Sequence, residues 1–378
     1  MAPIPQPTRD VADRPGSVST SANDAMVDLL YERAIDLLRL EVGTRNKVFA
    51  LLNDLEGEIV AALAKVDPTG SPQAFIRQMR LEQLKRLVDS TIQATYRQND
   101  TLLAQEVRDV VDIEATWTGN AINSAIQAEF ATTGVTRTLL ETLVSDVLIQ
   151  GAPTAEWWER QAGGLSDKFA DEMRRGVAIG DPLDKLVARV RGSTTQRGIM
   201  DIAKQSAQAL VRSSVQTAAN VARESTYERN ADLIKALQWS ATLDTRTSIW
   251  CITRDGHLYD VKSKKPQDGG PPWLEGPGKL HWNCRSTSVP VMKSWRDLGI
   301  DVDDVPQTTR ASMDGQVPAG TSFEAWLKKQ SVARQDAVLG QGKAQMWRDG
   351  KITFANLLDQ SGRPLTTEDL RARFDKGA

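Results

Sequence analysis

The fold is decided by residues 239–292, which read WSATLDTRTSIWCITRDGHLYDVKSKKPQDGGPPWLEGPGKLHWNCRSTSVPVM. The two Cys and two His of the 378-residue chain all lie inside this stretch, at Cys251, His257, His281 and Cys284. Thiol and imidazole groups are the ligands that build closed tetrahedral zinc sites. Any chemistry of the chain is therefore sought here first.

The same stretch does not have the periodicity of a helix. Apolar and polar residues alternate from Leu237 to Leu243, which predicts a half-buried strand, and a turn at 244–248 leads into a short helix that carries Cys251. Short strands are expected at 257–261 and 285–291 around a Gly-, Pro- and Lys-rich loop. The pattern predicts a small α+β module.

The rest of the chain is dominated by apolar residues at helical spacing. Breaks are expected at 67–70, 118–119, 151–153, 163–164 and 180–182, where Gly, Pro or Thr interrupt the pattern. A long helix is predicted from about 201 to 230, and its polar residues share one face that is typical of a solvated surface: Arg212, Gln216, Asn220 and Arg223.

The predicted fold class is therefore mostly α with a small α+β module. We predict a flexible arm, an elongated helical domain, a domain made of a lead-in helix plus the Cys/His-containing module, and a linker with a small C-terminal region. Their expected limits are 1–22, 23–200, 201–295 and 296–378.

Composition excludes some classes of function. The chain has 47 Lys and Arg against 49 Asp and Glu, a formal charge of −2, which argues against a surface that binds nucleic acid throughout. No apolar run reaches the roughly 18 residues of a membrane span. Two cysteines do not form a disulfide framework, and a reducing cytoplasm is expected.

The Cys and His residues leave three interpretations open. They are inert, hydrogen-bonded core residues, or a cysteine pair or zinc site that uses the favourable His281-x2-Cys284 spacing, or a catalytic group. In the catalytic interpretation, His281 is the general base of a metal-dependent nuclease or hydrolase whose metal is held by Asp244 and Asp255. No Gly-rich phosphate cradle accompanies them.

Two further sets of polar residues have alternative interpretations. Asp244, Arg246 and Arg285 are expected to bond neighbouring loops and hold the module in shape. Residues 239–292 carry seven basic against five acidic side chains. Four lysines in or beside the loop suggest a DNA-binding module or, alternatively, a solvated loop: Lys262, Lys264, Lys265 and Lys279.

Two blocks of this stretch resemble a known family. Residues 239–256 follow the pattern W-x4-D-x-R-T-x3-C-x3-D-G, and Pro271-Pro272, a spacer and residues 281–287 follow P-P-x-H-x-N-C-R-x-T. In order and spacing they resemble the Mu protein F-like head-morphogenesis (minor capsid) family of tailed phages and prophages. The resemblance covers about residues 200–292. It singles out Arg212, Asn220, Trp239, Asp244, Arg246, Thr247, Cys251, Asp255, Gly256, His281, Asn283, Cys284 and Arg285.

The chain departs from the cysteine-richest members of that family. Ser248 and Ser286 stand where those members have additional Cys, and His257 stands where Lys is common. These departures weaken a four-ligand zinc site and imply a pairing of Cys251 with Cys284 near His281. No cofactor is expected, and zinc on Cys251, His281 and Cys284 is the alternative.

The resemblance also implies a role. It implies a virion protein in few copies, in the head interior or at the portal vertex, that assists procapsid assembly and has no enzymatic activity. The implied partners are the portal protein, the major capsid or scaffold protein, and phage DNA during packaging or ejection. Assembly would take place in the host cytoplasm. The same domain also occurs in prophage toxin proteins, which is a second possible context.

Overall fold

The computed structural model describes residues 22–126, 129, 131, 135–293, 309–318 and 320–374. The predicted arm, apart from Ala22, and the first part of the predicted linker lie outside these residues. Helices, a small three-stranded sheet and a two-stranded hairpin make up the regular structure of the described chain, so the predicted fold class, mostly α with a small α+β module, is confirmed.

In the described part of the chain, six helices precede the module. They are α1 (Ala22–Val66), α2 (Ala74–Ile126), α3 (Arg137–Ser145), α4 (Thr154–Ile179), α5 (Leu183–Arg191) and α6 (Ile199–Arg229). The chain forms two compact units: the first contains Met1–Leu37, Val111–Leu143 and Gln216–Ala378, and the second contains Leu38–Val110 and Val144–Val215. Helices α1, α2 and α6 contribute residues to both. The predicted domain limits stay predictions.

Two of the predicted breaks are wrong, because burial outweighs local propensity. Thr118 and Gly119 lie inside α2, where the Thr118 hydroxyl donates to the Glu114 carbonyl at 2.7 Å and is thereby satisfied within the helix. Gly163 and Gly164 lie inside α4, which buries Trp158, Ala162, Leu165, Phe169 and Met173 on one face. A glycine costs only about 1 kcal/mol in a helix interior, and this face offsets that cost.

The second unit is built from helices alone among its described elements. Its core contains an apolar row of α1, an apolar row of α2 and the buried face of α4. Trp158 is buried and meets the Tyr96 ring edge-on at 5.8 Å, whereas the half-buried Trp157 donates from Nε1 to the Ile149 carbonyl at 2.7 Å.

The first unit contains the α+β module. Strands β1 (Ile234–Ser240), β2 (Leu258–Tyr259) and β3 (Thr287–Met292) form an antiparallel sheet in the order β2-β1-β3, with Leu237 opposite Tyr259 and Trp239 opposite Ser288. The short helix α7 (Ile249–Ile252) follows β1. The Trp239, Tyr259 and Trp273 rings pack against one another with centroids 4.9 to 6.3 Å apart.

The C-terminal region belongs to the same unit. Its elements are the hairpin β4 (Thr309–Ser312) and β5 (Gly315–Pro318), the helices α8 (Phe323–Lys328), α9 (Val332–Leu339), α10 (Gln341–Arg348) and α11 (Thr367–Phe374), and a 3-10 turn at Phe354–Leu357. One hydrophobic cluster contains both Trp239 of the module and Phe323, Trp326 and Leu357 of this region. The module therefore shares its core with the C-terminal helices.

No helix in the described part of the chain combines the length and the apolar character that a membrane crossing requires.

Candidate functional site

The two cysteines and one of the two histidines meet inside the module. Cys251 comes from α7, and Cys284 and His281 come from the turn before β3. The two Sγ atoms lie 3.6 Å apart, and Cys251 Sγ lies 3.2 Å from His281 Nε2. Both cysteines are fully buried and neither forms a disulfide, while His281 is half-buried. We call Cys251, His281 and Cys284 the thiol–imidazole cluster.

The hydrogen bonds of His281 define which ring nitrogen faces the sulfurs. Nδ1 lies 3.0 Å from the Trp282 carbonyl oxygen, which can only accept, so Nδ1 carries a proton. Nε2 faces Cys251 Sγ and also lies 2.7 Å from Ser248 Oγ. Ser248 is thus the fourth polar side chain at the cluster.

Because the two thiols lie close together, their pKa values are shifted in opposite directions. The hydrogen bond with Cys284 raises the pKa of Cys251, and burial raises it further. The hydrogen bond from Cys251 lowers the pKa of Cys284, with His281 acting in the same direction against burial. Burial alone would lower the pKa of His281, but the hydrogen bond and charge of Cys284 raise it. The neighbouring groups therefore shift the pKa values of the two thiols in opposite directions.

The second histidine lies elsewhere. His257 Nδ1 is 3.1 Å from Asp268 Oδ2, on the loop after β2. Among the described residues, the group whose ligand atoms lie within 4.8 Å of one another contains Cys251, His281 and Cys284. Neither His257 nor the two carboxylates of the nuclease interpretation, Asp244 and Asp255, belong to it.

Asp244 forms an ion pair that closes the first motif block onto the second. Its carboxylate accepts two bonds from Arg285, at 2.5 and 2.7 Å, and one each from the Arg246 backbone N–H and the Thr247 hydroxyl, at 2.9 and 3.0 Å. Burial alone would raise the pKa of Asp244, but Arg285 and the other donors lower it. The Arg246 guanidinium is only 3.7 Å away but is 78% exposed. The expected partners of Asp244 are backbone groups of neighbouring loops, and those of Arg285 are the carbonyls of the long loop. In the structure, Asp244 accepts from a backbone N–H of its own turn, and Arg285 donates to Asp244.

Asp255 joins the module to the C-terminal region. Its Oδ1 accepts from the Ala241 N–H and its Oδ2 accepts from the Phe323 N–H, both at 2.8 Å. Gly256 follows with φ 84° and donates to the Trp239 carbonyl at 2.8 Å. A left-handed residue is needed at this turn, and glycine adopts that conformation at little cost. Asp255 thus acts as a connector between backbone segments.

Arg254 is a site residue that the sequence analysis missed. It is fully buried, and its guanidinium donates to the carbonyls of Pro272, Trp250 and Gly362 at 2.8, 2.7 and 3.0 Å. Burial lowers the pKa of Arg254. The sequence signal was the position itself, next to the motif Asp255, but charged residues at such positions are usually exposed.

The lead-in helix corrects another prediction. Its polar residues do not share a solvated face: Asn220 is fully buried and Arg223 is 3% exposed. Asn220 donates to the Gln216 carbonyl at 2.8 Å, and Arg223 donates to Glu114 Oε1 and Thr287 Oγ1 at 2.6 and 2.8 Å. In the second unit, Arg212 donates to the buried Glu41 at 2.8 Å. Arg212, Asn220 and Arg223 can lie on a face of the helix that is largely buried because each of them has a polar partner. Helical periodicity alone does not reveal such partners.

Two further motif residues have local structural roles. The Thr247 hydroxyl lies 2.5 Å from the Thr242 carbonyl oxygen as well as 3.0 Å from Asp244 Oδ1, so its one proton is shared between two acceptors that close the turn after β1. Asn283 adopts φ 58°, a left-handed conformation that Asn tolerates better than most residues. It lies between His281 and Cys284 and allows both to turn inward.

The four lysines differ in their surroundings. Lys279 Nζ lies 2.7 Å from Glu224, and Lys264 Nζ lies 2.8 Å from Glu228, both carboxylates belonging to α6. Lys262 and Lys265 are exposed. The DNA-binding alternative therefore rests on Lys262 and Lys265, since the other two charges are neutralised within the protein.

Comparison with known proteins finds one family to which part of the chain is similar. A family profile described as phage Mu protein F like protein matches residues 167–289. The match agrees with the resemblance of the two motif blocks, both of which it contains, and it begins within α4. Neither the curated proteins nor the solved structures contain a match to the chain.

Proposed function

We propose that this protein is a minor head protein of a tailed phage or prophage, which acts in procapsid assembly at the portal vertex or in the head interior. The observation that carries the proposal is the family match over residues 167–289, which contains both motif blocks from Trp239 to Arg285. The family is one of phage head-morphogenesis proteins. Portal, scaffold or major capsid protein, and DNA during packaging or ejection, are the proposed partners.

The geometry supports an architectural role for the motif residues. The two carboxylates that a nuclease would need are already bonded: Asp244 to Arg285, and Asp255 to two backbone N–H groups. A carboxylate that already accepts several donors is poorly placed to hold a catalytic metal ion. We therefore propose that the two motif blocks act by holding the loops of the module together.

Quantitative mass spectrometry of purified particles tests this function. In mature virions of the phage that encodes the chain, we expect its peptides at a small, constant ratio to the major capsid protein. Particles assembled without the portal protein provide the control, and there we expect the ratio to fall. Absence of the peptides from both procapsids and virions would contradict the proposal.

A further inference from the structure

We propose that Cys251, His281 and Cys284 bind one zinc ion, which links α7 to the turn before β3. The proposal goes beyond the assembly function, because it concerns how this module is held together. It rests on the placement of three soft or borderline ligands from two separate segments around one point.

The distances agree with such a site. Zinc bonds of about 2.3 Å to sulfur and about 2.0 Å to nitrogen place tetrahedral ligands roughly 3.8 Å apart for two sulfurs and roughly 3.5 Å apart for sulfur and nitrogen. The observed separations are 3.6 Å between the sulfurs and 3.2 Å between Cys251 Sγ and His281 Nε2. Both separations are within a few tenths of an ångström of the zinc values, and the ligand atoms of all three residues lie within 4.8 Å of one another.

The orientation of His281 supports the same conclusion. A zinc-bound histidine usually donates its other ring N–H to a carbonyl or carboxylate, which directs the free nitrogen at the metal. His281 Nδ1 faces the Trp282 carbonyl at 3.0 Å, so Nε2 is the nitrogen directed at the sulfurs. The carbonyl that would hold a metal-binding histidine in this orientation is therefore already in place.

Charge and burial also favour zinc over a pair of free thiols. Zinc with two thiolates is electrically neutral, which suits sulfurs that are 1% and 0% exposed. On binding, the ion displaces the thiol protons and any proton on Nε2 to solvent, with no change in oxidation state. The fourth position falls to Ser248 Oγ, which already faces His281 Nε2, or to a water molecule.

Metal analysis of the full chain, purified under reducing conditions, tests the proposal. We expect about one zinc per chain by elemental analysis. After exchange into Co²⁺, we expect thiolate-to-metal charge transfer and the intense visible bands of tetrahedral cobalt. Cys284→Ser and His281→Ala should weaken cobalt affinity by about 10- to 100-fold or more. His257→Ala is the matched control, because it removes the chain's other histidine, and it should bind cobalt as the unaltered protein does.

Two conservative variants separate metal binding from loss of fold. His281→Cys keeps a ligand and should retain cobalt with stronger charge transfer, and Ser248→Cys should tighten binding by adding a fourth thiolate. The proposal is overturned if the reduced protein has two titratable thiols and a native circular dichroism spectrum but shows no thiolate–cobalt band. It is equally overturned if binding persists undiminished in Cys284→Ser, or if Cys251 and Cys284 form a disulfide and take up no metal once reduced.

Discussion

Asp244 shows at the scale of one residue how the two motif blocks are joined. Its carboxylate has two arginines nearby, but only Arg285, 22% exposed, forms a two-bond fork with it. Arg246 is 78% exposed, and its side chain lies at the limit of an ion pair. Solvent screens the second interaction much more than the first. The two arginines are therefore expected to differ in their contribution to stability.

Replacing each arginine by glutamine tests that difference. Arg285→Gln leaves a mostly buried carboxylate without its main partner, and we expect the free energy of unfolding to fall by about 2 kcal/mol, below the range for fully buried pairs. Arg246→Gln should lower it by about 0.5 kcal/mol or less. Urea unfolding followed by tryptophan fluorescence measures both. Equal effects would show that the fork with Arg285 is not the stabilising contact.

The same carboxylate predicts a pH dependence. The pKa of Asp244 is lowered on folding, so its contribution to stability is complete above the ordinary value of about 3.9 and is lost as pH falls through the lower folded-state value. The difference in free energy of unfolding between the unaltered protein and Asp244→Asn should therefore be largest near neutral pH and shrink below about pH 4. Urea titrations at several pH values measure it, and a difference that grows on acidification would refute the assignment.

At the scale of elements, the loop between β2 and β3 is held against the lead-in helix. Gly278 has φ 76°, and a Cβ there would lie 2.0 Å from Asn220 Nδ2 on α6. Thr287 at the start of β3 donates to Asn220 Oδ1 at 3.4 Å. The buried Asn220 thus fixes the place where the loop passes over the helix.

Alanine at two glycines separates this contact from backbone strain. Gly269 has φ 74° in the same loop, and a methyl group added to its Cα would have no neighbouring atom within 4 Å. Gly269→Ala should therefore cost only the strain of a left-handed alanine, roughly 1 kcal/mol. Gly278→Ala should cost at least about 2 kcal/mol more, because Asn220 must move. Thermal unfolding of the two variants compares them, and similar melting temperatures would exclude the close contact.

At the scale of the first unit, one buried carboxylate connects three helical segments. Glu114 of α2 accepts from Arg33 of α1 at 2.7 Å and from Arg223 of α6 at 2.6 Å, and all three side chains are at most 3% exposed. Both guanidinium groups also lie over the Trp117 ring, at 5.2 and 5.9 Å. Two buried cations thus depend on one anion.

Removing the charge of Glu114 should strongly destabilise the protein. Glu114→Gln leaves two buried guanidinium groups without a counter-charge, and we expect the free energy of unfolding to fall by about 3–5 kcal/mol. Glu141→Gln is the control, because the Arg137–Glu141 pair on α3 is 91% and 51% exposed and should contribute about 0.5 kcal/mol or less. Calorimetry on both variants measures the effect. A mild result for Glu114→Gln would mean that water or another group satisfies the arginines.

The features of the fold that depend on a local sequence pattern could be predicted from the sequence. The helical stripes, the alternation around Trp239 and the order of the motif residues led to the fold class and the family. The sequence did not predict contacts between distant positions, such as Arg223 with Glu114 or Arg254 with Gly362, because such contacts leave no periodic signal. The breaks predicted at Thr118 and at Gly163 were wrong for the same reason, since burial against distant helices overrides local propensity.

The candidate site was predictable in part. Spacing placed His281 beside Cys284, but only the fold brings Cys251 to them and directs His257 to Asp268 instead. Likewise, the sequence led to the same expectation for Arg246 and Arg285, that each bonds neighbouring loops, whereas in the structure their burial differs. The difference in burial between the two arginines arises only when the two loops pack together in the folded module.

At the scale of the whole molecule, the motif residues are expected to be architectural rather than catalytic. A cleavage assay tests this directly, with the purified chain incubated with single- and double-stranded DNA in Mg²⁺, Mn²⁺ or Zn²⁺, beside His281→Ala protein whose fold is verified by circular dichroism. We predict no phosphodiester cleavage above the protein-free control for either protein. Metal-dependent cleavage by the unaltered chain that disappears in folded His281→Ala would contradict the account.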